Sequence, residues 1–216
     1  MKARFLILTA GAVALSAPAF ADDFGDRLAA IQNEWAAANY NATGKSARSD
    51  AFEALVEHAT AFHAQYPDRA EAVAWDGIVL STYAGEVGAM SAMKYAKAAR
   101  AALESAEKLD PTALEGGIYA SLGALYSKVP GGFMGFGDDE LAARYFEKAL
   151  AVDPDNIDNN YFFGEFLLDQ GHYARARTVL EHALEAPVAA DRPVFDAGRR
   201  AEIRSLLAIA ERKSSS

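Results

Sequence analysis

Four histidines and thirty carboxylates are the side chains here that could hold a metal or move a proton. Their spacing builds neither kind of site. His58 and His63 stand five residues apart, which sets them on different faces of a helix. No His-Glu-x-x-His run occurs, and with no cysteine in the chain there is no Cys/His ligand set or thiol nucleophile. No Gly-x-Ser-x-Gly elbow is present to raise a serine. Neighbouring carboxylates such as Asp138 and Asp139 read as the start of a helix, where its dipole favours negative charge. The patterns therefore give no catalytic residue, no metal site and no cofactor. An enzyme ranks behind a binding protein, because no base, nucleophile and orienting group can be assembled.

Side chains suited to contact are easier to find. The loop from Pro130 to Gly137 holds four glycines in eight residues, with Phe133, Met134 and Phe136 between them. Glycine allows close backbone approach, and aromatic and Met side chains favour contact surfaces. Together with Tyr126 the loop would dock a partner or fold over a ligand as a lid. The competing reading is that its phenylalanines tuck into the core. Its glycines carry no Gly-Lys-Ser/Thr and follow no strand, which argues against a phosphate loop. A second surface is the face of the seventh helix carrying Asp158, Tyr161, Glu165 and Asp169. It is acidic and aromatic, so it is read either as a site for a basic or polar partner or as a solvated face. On the last helix Arg199, Arg200 and Arg204 form a basic cluster, with Arg199 and Glu202 spaced for a three-step pair. That helix would end the stack as a cap, or meet the acidic face of another copy.

The elements that must carry these residues are helical throughout. Ala, Leu, Glu, Lys and Arg dominate, and runs of alternating Val, Ile and Thr are missing. Apolar residues recur at three- and four-residue steps in nine segments. They start near Phe24, Ser46, Ala70, Ala89, Thr112, Asp139, Ile157, Tyr173 and Phe195. Proline turns at Pro67, Pro111 and Pro154 end three of them. Asp138 suits the N-cap of the sixth helix, and Gly171 suits the end of the seventh.

Three segments share one spacing of small, bulky and small residues with a proline close behind: Ala99, Leu103, Ala106, Pro111; then Ala142, Phe146, Ala149, Pro154; then Ala176, Leu180, Ala183, Pro187. Each follows a segment with a large residue close to a glycine: Trp75 and Gly77, Leu122-Gly123 and Phe163-Gly164. Small residues belong where two helix axes come closest. From about Ala70 to Pro187 the chain resembles the tetratricopeptide repeat family. The resemblance implies an all-α fold: a right-handed α-solenoid of tetratricopeptide-like (TPR-like) helix pairs, about nine helices with a C-terminal capping helix. It implies a protein–protein interaction scaffold.

Two departures from the family pattern lie in the glycine-aromatic loop and in an enlarged connection around Gly85 to Met90. With export and single-domain size, they make the chain similar to the periplasmic T-component proteins of TRAP transporters. That similarity implies a periplasmic binding protein as partner, a place in a solute-transport assembly, and homo-oligomerisation. Members are typically lipid-anchored, and this chain has no cysteine to carry a lipid.

The N-terminus reads as a leader: Lys2 and Arg4, an apolar run from Phe5 to Leu15, then Ala19-Phe20-Ala21. Cleavage is expected after Ala21. Residues 22–213 would then form one helical domain and 214–216 a frayed tail. The apolar run falls short of the roughly 20 residues that span a bilayer. The expected location is the periplasm, with no stable membrane insertion after cleavage. Loss of Lys2 and Arg4 takes the net charge from −9 to 19 basic against 30 acidic groups, about −11. So acidic a chain is a poor fit to nucleic acid. The leading function is an exported scaffold, and the runner-up is a small-ligand binding protein with the 130–137 loop as lid.

Overall fold

The computed structural model describes residues 23–214, so the leader expected at 1–21 lies outside the described residues. Among the described residues nine α-helices follow one another: α1 (Asp23–Tyr40), α2 (Lys45–Gln65), α3 (Ala70–Glu86), α4 (Ala89–Leu109), α5 (Gly117–Lys128), α6 (Asp139–Val152), α7 (Ile157–Asp169), α8 (Tyr173–Ala183) and α9 (Pro193–Ser214). They stack as antiparallel pairs into an all-α solenoid. Local chemistry sets some of the ends. The Asp138 carboxylate accepts from Leu141 N at 2.9 Å to start α6. The Asn156 side chain accepts from the amides of Asp158 and Asn159 to start α7. Gly171, at φ 77°, turns the chain out of α7.

Within each regular pair the packing contact is the same. Ala99, Leu103 and Ala106 on α4 are fully buried, as are Ala149, Ala142 and all but a trace of Phe146 on α6, and Ala176, Leu180 and Ala183 on α8. Opposite each bulky residue stands a glycine. A Cβ placed on Gly77 would lie 2.8 Å from Leu103 Cγ, on Gly123 2.8 Å from Phe146 Cε1, and on Gly164 2.5 Å from Leu180 Cδ2. The glycines are thus fixed by space, since a methyl group there would meet the side chain of the partner helix.

Two expectations from the sequence are corrected. The fifth helix begins at Gly117, not Thr112, because Ala113–Gly116 is a 3-10 turn with Leu114, Glu115 and Gly116 all at positive φ. Asn159 of α7 holds that turn. Its Nδ2 donates to the carbonyls of Glu115 (2.9 Å), Ala149 (3.1 Å) and Asp153 (3.0 Å). The connection around Gly85 to Met90 is not enlarged: α3 runs to Glu86 and α4 starts at Ala89, so the extra residues lengthen the helices. The last helix, α9, caps the stack as expected and makes a further contact. It packs on α8 and also reaches α1. Tyr40 donates to Glu202 at 2.9 Å, a Cβ on Gly198 would lie 2.4 Å from the Tyr40 ring, and Phe195 joins the apolar cluster of α1, α2 and α3. The two ends of the stack are therefore in contact.

Gly164→Ala is expected to destabilise the fold by about 1–3 kcal/mol in urea unfolding, because overpacking against Leu180 outweighs alanine's better helix propensity. Gly85→Ala, on α3 with open space around it, is expected to be neutral or stabilising. A Gly164→Ala variant as stable as Gly85→Ala would show that the close approach is not needed. His182 bridges Asp155 (2.9 Å) and Glu185 (3.2 Å) across the α6–α7 turn and α8. Burial opposes its charge, but hydrogen bonds to Glu185 and Asp155 together raise its pKa. A raised histidine stabilises fully below its unfolded pKa, near 6.5, and the gain fades as pH rises through the folded value. His182→Gln should therefore cost ~0.2–1 kcal/mol at pH 5 and nothing at pH 9, the ion pairs being half-exposed and screened.

Candidate functional site

The inner surface of the stack carries a cavity of about 580 Å³. It is walled by α1, α3, α5, α7, α9, the turns before α5 and α7 and the linker before α9, and no residue of α2, α4, α6 or α8 contributes. The first helix of every pair thus faces inward and the second outward. Two features set the chemistry of the wall: a guanidinium at the bottom and a ring of aromatics around it.

The guanidinium belongs to Arg199, which is 4% exposed. Its Nε donates to Asp158 at 2.6 Å and its Nη1 to Glu202 at 2.7 Å. Its Cζ stacks 3.9 Å from the Tyr161 ring and lies 5.1 Å from Phe162, 5.7 Å from Phe195 and 6.0 Å from Trp35. Burial opposes the charge, yet Asp158, Tyr40 and Glu202 hold the pKa above its ordinary value. Burial likewise pushes the Tyr161 and Tyr40 hydroxyls up, so both remain neutral donors. Arginine suits this place because a planar, forked cation can pair with two carboxylates and stack on a ring at once.

The tryptophans stand beside it. Trp35 donates from Nε1 to Thr82 at 3.0 Å and meets Trp75 edge to face, centroids 6.4 Å apart. Trp75 lines the cavity, and its Nε1 is buried with no hydrogen-bond partner among the described residues. The left-handed turn supplies Leu114 and Glu115 to the same wall. A non-glycine residue at positive φ is uncommon, and such strain clusters where a site must be shaped.

The residues expected from sequence fall in two separate places. Asp158 and Tyr161 line the cavity, already engaged by Arg199. Glu165 and Asp169, further along α7, are bound by Lys128 at 3.2 and 2.6 Å. Lys128 leads into the loop, and none of Tyr126, Phe133, Met134 or Phe136 touches the cavity. The loop is thus no lid over this space. Phe136 is wedged between Tyr126, 5.5 Å away, and Arg100, 4.3 Å above its ring. Phe133 is fully exposed and Met134 largely so. The loop splits the two expectations made for it, one phenylalanine packing inward and the other pointing out. Arg199 meets the acidic face of α7 in its own chain. Periodicity alone puts Trp35 and Trp75 in core stripes and marks neither as a site residue. That these two, the chain's only tryptophans, both sit on first helices is the signal that could have found them.

Comparison with known proteins fits this layout. Residues 134–192 match the tetratricopeptide repeat family. The match covers α6, α7 and α8, the most regular part of the stack. A solved thermophilic TPR protein of Thermus thermophilus superposes with a TM-score of 0.56 at 16% identity, over 86% of this chain and 99% of that one. The likeness is one of fold, and it makes the solenoid of TPR-like pairs the architecture of the whole described chain. No curated protein matches the sequence. Among the described residues no helix is long and apolar enough to cross a membrane, and no group of three or more His, Cys, Asp or Glu could hold a metal ion.

Arg199→Met is expected to cost about 3 kcal/mol in urea unfolding, at the low end for a broken buried pair because Asp158 and Glu202 are each about a third exposed. Arg199→Lys should recover less than half of that, since an ammonium can neither fork nor stack. A lysine variant as stable as the parent would show that charge alone suffices.

Proposed function

We propose that the chain is an exported helical-repeat scaffold that holds a protein partner in the periplasm, within a solute-transport assembly. One observation carries the scaffold reading. Phe133 and Met134 are presented to solvent on a loop that is itself pinned. Gly131 and Gly137 pair across it, Gly137 N donates to Pro130 O at 3.0 Å, and Phe136 anchors it to Tyr126. Large apolar side chains held out on an ordered loop match the few anchors that dominate protein interfaces. The surrounding TPR-like stack supplies the rigidity. The resemblance in architecture to TRAP-transporter T-components and the leader-like pattern of residues 1–21 support the transport and export parts of the proposal. A periplasmic substrate-binding protein is the partner that similarity suggests.

A second reading, a small-ligand binding protein, is favoured by the inner cavity. Its volume lies in the range of small-molecule sites, and it joins aromatic walls to a few fixed polar groups.

A photo-crosslinking residue introduced at position 133 is expected to trap one discrete protein in the periplasm of the native host, and the trapped chain should begin at Asp22. The double variant Phe133→Ala/Met134→Ala should lose that capture with stability unchanged within about 0.5 kcal/mol, as for other exposed positions. Capture that survives the double variant would sink the loop as the docking site. A full-length chain in the cytosol would end the export reading.

A further inference from the structure

Resting on the second reading, we infer that the inner cavity is a binding site for a small organic cation, an amine on an apolar or aromatic body, whose charge is held by Glu115 and Asp191. The wall is acidic. Four carboxylates, Glu115, Asp158, Asp191 and Glu202, line it against two arginines, Arg192 and Arg199, a net charge of −2. Arg199 takes one oxygen from each of Asp158 and Glu202, so that cage as a whole is already negative. Arg192 lies 4.5 Å from the Phe195 ring. Glu115 and Asp191 are the wall carboxylates left without a cation. Glu115 accepts only a 3.4 Å contact from the Asn156 amide, and Asp191 has no hydrogen bond or ion pair among the described residues. Both are exposed, and a carboxylate accepts several donors at once.

On an open surface such carboxylates would be a solvated face. Here they border a concave space of about 580 Å³, the size of a small-molecule site. A cleft with an excess of one sign focuses the field and concentrates counter-ions inside it. The aromatic lining acts in the same sense, because ring faces attract cations, tryptophan most strongly. The wall already seats two of its own cations this way, Arg199 at 3.9 Å from Tyr161 and Arg192 over Phe195. Trp35, Trp75 and Phe162 supply the rest of the aromatic wall for the body of the molecule. An anion would enter against four carboxylates and find Arg199 already paired with two of them. A neutral molecule would gain the apolar contact and leave Glu115 and Asp191 unpaired. An amine gains both.

Three probes that share one ring and differ in charge test the inference. Phenethylamine, phenethyl alcohol and hydrocinnamate would be titrated calorimetrically into the chain from Asp22 onward. At low salt the amine is expected to bind at least about tenfold more tightly than the alcohol or the carboxylate, and to lose most of that margin at about 0.5 M salt. The double variant Glu115→Gln/Asp191→Asn keeps both side-chain shapes and brings the wall to neutrality. It should weaken the amine about tenfold while leaving the alcohol within about twofold. Ser121→Phe, which narrows the cavity from α5, should abolish all binding while circular dichroism stays unchanged. Ser81→Phe narrows it from α3 and serves if the first variant loses its fold. The inference is overturned if the alcohol or the carboxylate binds as tightly as the amine. It is overturned equally if the double variant leaves the amine unchanged or weakens amine and alcohol alike. In those cases loss of binding in the phenylalanine variants would still keep the cavity as a ligand site. Absence of binding by every probe, or binding indifferent to both phenylalanine variants, would remove the small-ligand reading along with it.

Discussion

The close approach of a glycine on one helix to a bulky side chain on the next is the contact that sets the geometry of this molecule. It occurs at Gly77 with Leu103, Gly123 with Phe146 and Gly164 with Leu180. It fixes how near the two axes of each pair come, and so how the pairs stack. A fourth instance joins the first and last of the described helices, where Gly198 of α9 lies under the ring of Tyr40 on α1. The same device that builds each pair therefore also brings the last helix onto the first. A stack whose ends meet encloses space on its inner side, and the cavity follows from that closure.

Arg199 is the electrostatic counterpart of that closure. Its partners come from α7 and α9, its rings from α1, α7 and α9. One buried cation thus ties the N-terminal helix, the most regular repeat and the C-terminal helix together. Such a group is costly to bury and costlier to leave unpaired. That favours one arrangement of α9 over the alternatives open to a terminal helix. The acidic inner face of α7, which by itself looks like a surface for a basic partner, is partly satisfied from within.

Contact chemistry is consequently divided between two faces. The loop before α6 turns Phe133 and Met134 outward on a pinned backbone. The inner wall offers Trp75 and the Arg199 cage to something small enough to enter. A scaffold and a ligand binder use different faces of this stack, so both readings stand on separate residues and separate experiments.

How much of this could be read in advance differs from feature to feature. The Ala–bulky–Ala spacing of α4, α6 and α8 dictates the pairing, because a helical period of 3.6 residues places those positions on one stripe and only small residues let axes approach. The cap at Asp138 and the turn at Gly171 are equally local, since each is decided within three residues of chain. The turn at Leu114 and Glu115 was not legible. Its positive φ values are held by Asn159, which lies 44 residues away in sequence. The site was legible only in part, through Asp158 and Tyr161 on one face of α7, and its assembly was hidden for the same reason. Trp35, Trp75, Leu114, Asp158 and Arg199 come from five separate segments and share no spacing, and Arg199 reads as a surface charge until α9 is laid against α1. Helices and their pairing are thus written along the chain, through local periodicity and steric limits at small residues. The meeting of the two ends is not, because it rests on contacts such as Tyr40 with Glu202, 162 residues apart, which leave no periodic trace and arise only once the helices are packed.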